Sequence, residues 1–450
     1  MQETQFRVWY LFLAQVIAIA GILNWFGKFE ATPQFDTSSY RDYSFESVSD
    51  ALNDKRTFVY PSVLRLFLVA DGSERLVPWF QYSLSAVAVG VFLASLLRCE
   101  WNPWLAFAAA SPILASQMVL EYTGVLTPDL LAQSFAVVTV ALWLIAVHSG
   151  RSLVALAGMS VFLFLAYQTK PSYLFLLAFI PIGGLIARWW LHPTDKDAWK
   201  LAIRLSFASF VPFLAWCSLR WFVVGHFGLV SFGGYNIIGV AGQLLQRDWT
   251  ASLTSEVQPL ATEILNRREQ LKDWPIEPNY ENYEANFNKM VWEIAVPIAS
   301  EKHQADSRVM NRQMADLSMQ ILMGHPKSYA IWLMLAAKRS MRQVIELTLR
   351  NPIVMLSFPI LLAAFAFGWR LKGDESKQTS ELKSDREFQT IVWTAIGFAT
   401  CKLALVVLVE PPIDRYCAPA GVFLTSILAM VACQFCLRLN SDKSQFQSIV

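Results

Sequence analysis

The chain carries little charge for its length. Charged residues make up 16% of its 450 residues and hydrophobic residues 55%, whereas about 25% of a soluble protein is charged. Apolar runs long enough for a membrane-spanning helix, about 20 residues, recur along the sequence. These features exclude a water-soluble protein and predict an integral membrane protein that crosses the bilayer several times.

The sequence also lacks the motifs that are typical of metal sites and nucleotide sites. The six cysteines do not have the spacing of a zinc site and do not suggest a disulfide framework, and the five histidines are scattered. The glycine motif GxGxxG and the phosphate-loop motif GxxxxGK are absent, so the sequence gives no support for a nucleotide-binding domain. A formal net charge of +2 gives no reason to expect a nucleic-acid partner.

Two further absences concern the N-terminus and internal symmetry. The first apolar run, from Val8 to Phe26, ends without the small-residue pattern of a cleavage site, so we expect an uncleaved signal anchor. No internal repeat is recognisable, although many secondary transporters have one. This absence argues against a transporter or flippase of lipid-linked sugars, which is kept as an alternative interpretation, as is a non-catalytic membrane scaffold.

The apolar runs predict an all-α polytopic membrane protein of about ten transmembrane helices. Lys and Arg concentrate in short cytoplasmic loops, and their distribution here places both termini in the cytoplasm. In this orientation the short outer turns carry only Lys170 and Arg415. The predicted spans are 8–26, 79–97, 104–121, 128–148, 152–168, 171–187, 201–224, 350–369, 388–409 and 418–437.

Two long loops, 27–78 and about 225–350, fall on the extracytoplasmic side in this orientation. We expect function there, because a rigid scaffold usually presents its functional residues on loops. Segments 60–70 and 328–347 predict interfacial helices, and the polar segment 372–387 predicts a flexible link. The expected division is a module of seven spans at 1–224, an extracytoplasmic helical loop at 225–349 and the C-terminal spans at 350–450.

Acidic residues stand out at the outer ends of the spans. Asp36 follows the first span within "TPQFDTSSYRDY", where a carboxylate can be a general base, a metal ligand or a surface charge. Glu121 and Asp129 flank the next outer turn, although Asp129 also fits an ordinary helix start after Pro128. Hydroxyl groups near these turns come from Tyr40, Tyr60 and Tyr416.

Basic residues at or near the outer ends of spans are candidates for binding an anion. Lys170 and Arg220 either bind an anion at a functional site or extend their charged groups to the membrane–water interface. Lys402 lies deeper, where an ionisable group usually faces a polar cavity or a partner. Arg415 belongs to the proline-rich turn "VEPPIDRYCAPAG", and its guanidinium matches the geometry of phosphate oxygens. The same turn also fits a simple short connection.

Several short segments, in their order and shared sidedness, resemble a known family. They are "FDTSSY", "RTFVYPSVLRLF", "LTPDLL", "QTKPSY", "ILMGHPKSYAIWLM" and "DRYCAP". Together with a first span, a long outer loop and six further spans, they are similar to the GT-C membrane glycosyltransferases. The likeness is greatest to dolichyl-phosphate-mannose–protein mannosyltransferases and lipid A aminoarabinose transferases.

The resemblance implies an inverting glycosyltransferase of the bacterial inner or plasma membrane that acts on its extracytoplasmic face. A polyprenyl-phosphate-linked sugar would be the donor, and a glycan, lipid or protein the acceptor. Asp36 would be the general base and Asp129, with Glu121, the second acid. Lys170, Arg220, Lys402 or Arg415 would bind the phosphate, and Tyr40, Tyr60 and Tyr416 would position the loops.

The resemblance leaves the metal requirement open. Thr37 follows Asp36 in this sequence, whereas family members often carry a second acid there. No cofactor is therefore assigned, and a divalent metal remains an option to be examined against the geometry.

Overall fold

The computed structural model describes residues 2–150, 152–271, 274, 279–303, 306–367 and 378–449. Regular structure in these residues is helical, apart from a single β-bridge between Thr32 and Val125. The predicted all-α class is confirmed for this part of the chain.

The helices follow one another with short connections. Short 3₁₀ turns at Pro171–Tyr173, Arg247–Ser252 and Ala418–Gly421, and a π-helical turn at Lys289–Ala295, join some of them. In chain order the α-helices of the described residues are α1 Gln2–Trp25, α2 Thr37–Arg41, α3 Val48–Asn53, α4 Val59–Asp71, α5 Val77–Arg98, α6 Pro103–Leu114, α7 Gln117–Tyr122, α8 Asp129–Ser149, α9 Leu153–Thr169, α10 Leu176–Leu191, α11 Ala198–Val224, α12 Gly233–Leu244, α13 Gln258–Gln270, α14 Tyr280–Asn288, α15 Val296–His303, α16 Ser307–Gly324, α17 Pro326–Leu349, α18 Pro352–Phe367, α19 Gln378–Val409, α20 Asp414–Cys417 and α21 Leu424–Ile449.

Local sequence explains many of the helix ends. The Asn102 side chain accepts a hydrogen bond from the Trp104 amide at the start of α6, and Pro103 occupies the first helical position, where its missing N–H is not needed. Gly150 and Gly225 end α8 and α11 with φ of 70° and 71°. Glycine adopts this left-handed conformation without steric penalty, so it stops a helix cleanly.

Eight helical stretches of the described residues are long and apolar enough to cross a bilayer, or nine if a bent pair is one span. The chain is therefore an integral membrane protein, as predicted, and its described residues contain eight or nine candidate spans, while the count of ten stays a prediction. The eight are Gln2–Trp25, Val77–Arg98, Pro103–Tyr122, Asp129–Ser149, Pro171–Leu191, Ala198–Val224, Asp385–Val409 and Asp414–Leu437.

The predicted spans 152–168 and 350–369 account for the difference. The first is α9, whose 17 residues rise about 25 Å, less than the roughly 30 Å hydrocarbon core. The second begins after a bend of 83° between α17 and α18. Asn351 lies in that bend and donates to the carbonyls of Pro112 and Ala115 at 2.9 and 3.2 Å. The bend is thus fixed to the end of α6.

The two segments predicted to be interfacial are helical. Segment 60–70 lies within α4, and segment 328–347 lies within α17, which does not continue the direction of α18. Met334, Met341 and Ile345 project from one side of α17 and are exposed. The placement of both helices at a membrane surface stays a prediction.

The bundle is built around α8. In its spanning stretch 83% of the residues are buried, compared with 22% for α1 and for α11. α8 packs against α5 and α9, and the Trp143 indole donates to the Ile180 carbonyl at 3.0 Å. Exposed aromatic side chains on α11, such as Phe207 and Phe222, suit a lipid-facing surface. Asp129 is the first residue of α8 and therefore belongs to the most buried candidate span.

The first long loop is attached to the end of the bundle by backbone hydrogen bonds. The Thr32 amide donates to the Gly124 carbonyl at 2.8 Å, and the Leu126 amide donates to the Thr32 carbonyl at 3.0 Å. Thr37, which is buried, donates through its hydroxyl to the Leu126 carbonyl at 2.9 Å. These bonds fix the position of the neighbouring Asp36.

The long segment 225–349 contains a hydrophobic core of its own. Helices α12 to α17 contribute to it through Ile238, Ile264, Met314 and Trp332, among others.

The segment 372–387 was predicted to be a flexible link, but its residues 378–387 are helical and belong to α19. Residues 372–377 of that prediction lie outside the described residues.

We expect Gly124→Ala to destabilise the protein. A Cβ at Gly124 would lie 2.6 Å from the Lys28 carbonyl oxygen and 2.7 Å from that of Glu30, so the loop would have to move, at a cost of about 1–3 kcal/mol. Thermal unfolding in detergent measures the effect. Gly21→Ala is the control, because its Cβ would meet nothing within 4 Å. An equal melting temperature for both variants would contradict the close packing.

Candidate functional site

Charged residues from four separate parts of the chain meet at one end of the helix bundle. Asp36 precedes α2, Asp129 opens α8, Lys170 follows α9, and Arg415 lies in α20. Each is at the end of its helix, and these helix ends lie together. The structure thus brings together four of the residues that the sequence singled out, along with Arg56 from the first loop.

These five residues form a continuous ion-pair chain. Arg415 is at its centre: Nη1 donates to Asp36 Oδ2 at 2.9 Å, and Nε donates to Asp129 Oδ2 at 2.9 Å. Arg56 Nη2 donates to the other Asp36 oxygen at 3.1 Å. Lys170 pairs with the other oxygen of Asp129. Each carboxylate therefore lies between two basic groups.

Exposure divides the ion-pair chain into a buried and an accessible half. The Asp129 side chain is 0% exposed, whereas that of Asp36 is 26% exposed. Burial by itself would raise the pKa of Asp36, but Arg56 and Arg415 outweigh it and hold that pKa below its usual range. Asp36 is thus an ionised carboxylate that solutes can reach, and Asp129 is a buried counter-ion that fixes Arg415 and Lys170.

A cavity of about 280 Å³ opens beside the accessible half. Its wall combines apolar side chains, including Leu174, Leu229 and Phe232, with a high density of charge. Four of the charged lining residues are basic, a composition suited to an anion. The charged lining residues are Asp36, Lys55, Arg56, Lys170, Glu410 and Arg415.

Two tyrosines predicted to position the loops line the same cavity. Arg56 donates to the Tyr40 hydroxyl at 3.3 Å and lies 4.6 Å from the centre of its ring. Burial raises the pKa of Tyr40 to about 12, so its hydroxyl keeps its proton. Tyr416 presents its ring to the Lys170 ammonium at 4.7 Å. Tyr60 is fully buried and packs edge-on against Tyr40, with ring centres 5.3 Å apart.

Two of the predicted phosphate-binding cations lie away from the cavity lining. Arg220 is buried and donates to the carbonyls of Leu52 and Gly228 at 2.8 and 2.7 Å, so it joins the first loop to the segment after α11. Lys402 is also buried, and its Nζ donates to Ser172 Oγ at 2.6 Å. Ser172 lines the cavity, so Lys402 lies directly behind its wall.

Glu121 is exposed and accepts a hydrogen bond from its neighbour Gln117 at 2.7 Å. It takes no part in the ion-pair chain. Lys55, Arg56 and Glu410 line the cavity but were not among the site residues predicted from sequence. All three lie in the same loops as predicted site residues, and nothing in their local pattern distinguishes them from the other charges there.

The carboxylates do not suit a divalent metal. Basic groups already occupy the positions around Asp36 and Asp129 that a cation would take. In the part of the chain that the structure describes, His, Cys, Asp and Glu do not gather in groups of three or more that could hold a metal ion. Arg415 supplies the positive charge between the two acids.

Comparison of the chain with protein-family models, with curated proteins and with solved structures gives no match.

We expect Asp129→Asn to lower the free energy of unfolding by about 3–5 kcal/mol, because it leaves Lys170 and Arg415 buried without their shared counter-ion. Denaturant unfolding in detergent measures it. Glu121→Asn is the control, since this exposed acid lies at the turn before α8, and it should leave stability unchanged. Equal stability of the two variants would show that the ion-pair chain does not contribute to the fold.

Proposed function

We propose that the chain is a membrane glycosyltransferase that moves a sugar from a polyprenyl-phosphate donor to an acceptor on the extracytoplasmic face. One observation carries the proposal. Four of the segments that resemble GT-C glycosyltransferases, with Asp36, Asp129, Lys170 and Arg415, are far apart in sequence but contribute to a single ion-pair chain beside a cavity.

The basic side chains of the cavity suit the donor's phosphate. Lys55, Arg56, Lys170 and Arg415 line one cavity with few acidic groups, and guanidinium groups bind phosphate oxygens through paired hydrogen bonds. Arg415 is already oriented by Asp36 and Asp129, so little side-chain entropy is lost when it binds. Fixed cations of this kind stabilise the charge that develops on a leaving phosphate.

Asp36 is the proposed general base. It is ionised, accessible from the cavity and held in place by Arg56 and Arg415. In the proposed step a nucleophilic oxygen or nitrogen of the acceptor attacks the anomeric carbon while its proton passes to Asp36. The bond from that carbon to the phosphate oxygen breaks, and the phosphate leaves with the electron pair. Attack opposite the phosphate inverts the anomeric configuration.

We expect Asp36→Asn to lower the transfer rate by about 10²–10⁴-fold, the usual contribution of a general base. The measurement is transfer of labelled sugar from polyprenyl phosphate to a membrane-extract acceptor by purified protein. Asp42→Asn is the matched control, because Asp42 is exposed in the same loop. Full activity of the Asp36 variant would remove Asp36 from the mechanism. Binding of the donor without transfer by the unaltered chain would favour a flippase.

The pH dependence of transfer follows from the ion pairs of Asp36. A base is active when ionised, so activity is lost as pH falls through its pKa, which lies below the usual range here. Arg56→Leu removes one of the two cations, so the pKa of Asp36 and the acid limb of kcat/KM should move to higher pH. Arg41→Leu alters an exposed arginine of the same loop and should leave the limb in place. An unmoved limb in the Arg56 variant would exclude Asp36 as the titrating base.

A further inference from the structure

Glu410 lines the same cavity as Asp36 but has different surroundings. It follows α19 directly, and its Oε1 accepts a hydrogen bond from the Asn236 amide at 2.8 Å. Among the described residues, no basic side chain lies within ion-pair distance of it, whereas Asp36 has two such partners.

Because of this difference, the pKa values of the two carboxyl groups shift in opposite directions. Burial raises the pKa of Glu410 above its usual range, and the nearby cations do not compensate as they do at Asp36. Two carboxyl groups that face one cavity and titrate apart are the usual arrangement for an acid and a base. The charged and titratable groups that act on Glu410 are Lys170, Lys402, Arg415 and Tyr416.

The charge of the cavity favours a neutral Glu410 when a phosphate is bound. The four basic lining residues are opposed by Asp36 and by Asp129 behind the wall. An ionised Glu410 would lower the remaining positive excess and repel the phosphate. A protonated Glu410 would instead offer an O–H donor to it. Phosphate binding and protonation of Glu410 therefore support each other.

We propose that Glu410 is a general acid that protonates the departing phosphate of the donor. This role rests on the proposed glycosyl transfer. As the bond between the anomeric carbon and the phosphate oxygen breaks, that oxygen keeps the electron pair and receives the Glu410 proton. Asp36 takes the proton of the acceptor. The products are the glycosylated acceptor, a singly protonated polyprenyl phosphate, neutral Asp36 and ionised Glu410. Proton exchange with water then restores both carboxyl groups.

The role predicts a basic limb in the pH profile of transfer. Activity should fall as pH rises through the pKa of Glu410, because an ionised carboxylate has no proton to give. Glu410→Gln should lower the rate about 100-fold on the acidic side of that limb and abolish the limb. Glu410→Asp should restore part of the rate and the limb. Asp414→Asn, an exposed acid in the same turn, is the control and should behave as the unaltered chain.

Infrared spectroscopy gives a readout that does not require transfer. The carbonyl band of a protonated carboxyl group should titrate above the ordinary glutamate range, should strengthen when inorganic phosphate is added, and should be missing from Glu410→Gln. Absence of this band from the unaltered chain would overturn the proposal. So would wild-type rates and an unchanged basic limb in Glu410→Gln. Failure of the unaltered chain to transfer sugar would instead refute the proposed function, and the general acid with it.

Discussion

The arrangement of the site depends on the Arg415 guanidinium between two carboxylates. It bonds Asp36 and Asp129 at 2.9 Å each, and so joins the first long loop, the start of α8 and the turn after α19. A planar group with fixed donors can hold both acids in one orientation, which a lysine could not do. Removing Asp129 would leave the buried Lys170 without a counter-ion, whereas removing Arg415 would leave each carboxylate with one basic partner.

The ion pairs differ in how far their side chains are buried. Asp129 and Lys170 lie against the most buried helix of the bundle, where few water molecules screen their attraction. Asp36 and Arg56 face the cavity and keep part of their surface accessible. The buried half therefore positions Arg415, and the accessible half lines the cavity. Glu410 lines the same cavity, where burial raises its pKa while the arginines lower that of Asp36.

Sequence reasoning identified part of the candidate site because sidedness is a local property. Asp36, Asp129, Lys170 and Arg415 each lie at the end of an apolar run that charge placement predicts to be the outer one, so their shared end of the bundle could be predicted. Arg220 near such an end and Lys402 deeper in its run were also candidates, but their donors are used by backbone carbonyls and by Ser172. Because burying a cation is costly, a buried cation is expected to have partners. The sequence does not reveal whether these partners are ligands or groups of the protein itself.

By itself the sequence determined the membrane location, the helical class and the end of the bundle where charges collect, because hydrophobic length and charge placement act within single segments. Only the tertiary structure decided which charges pair, since Asp36 and Arg415 are 379 positions apart. It also decided that α17 and α18 meet at 83° and that Thr37 serves as a hydrogen-bond anchor beside Asp36. Such contacts depend on how distant helix ends converge, and no local pattern encodes that convergence.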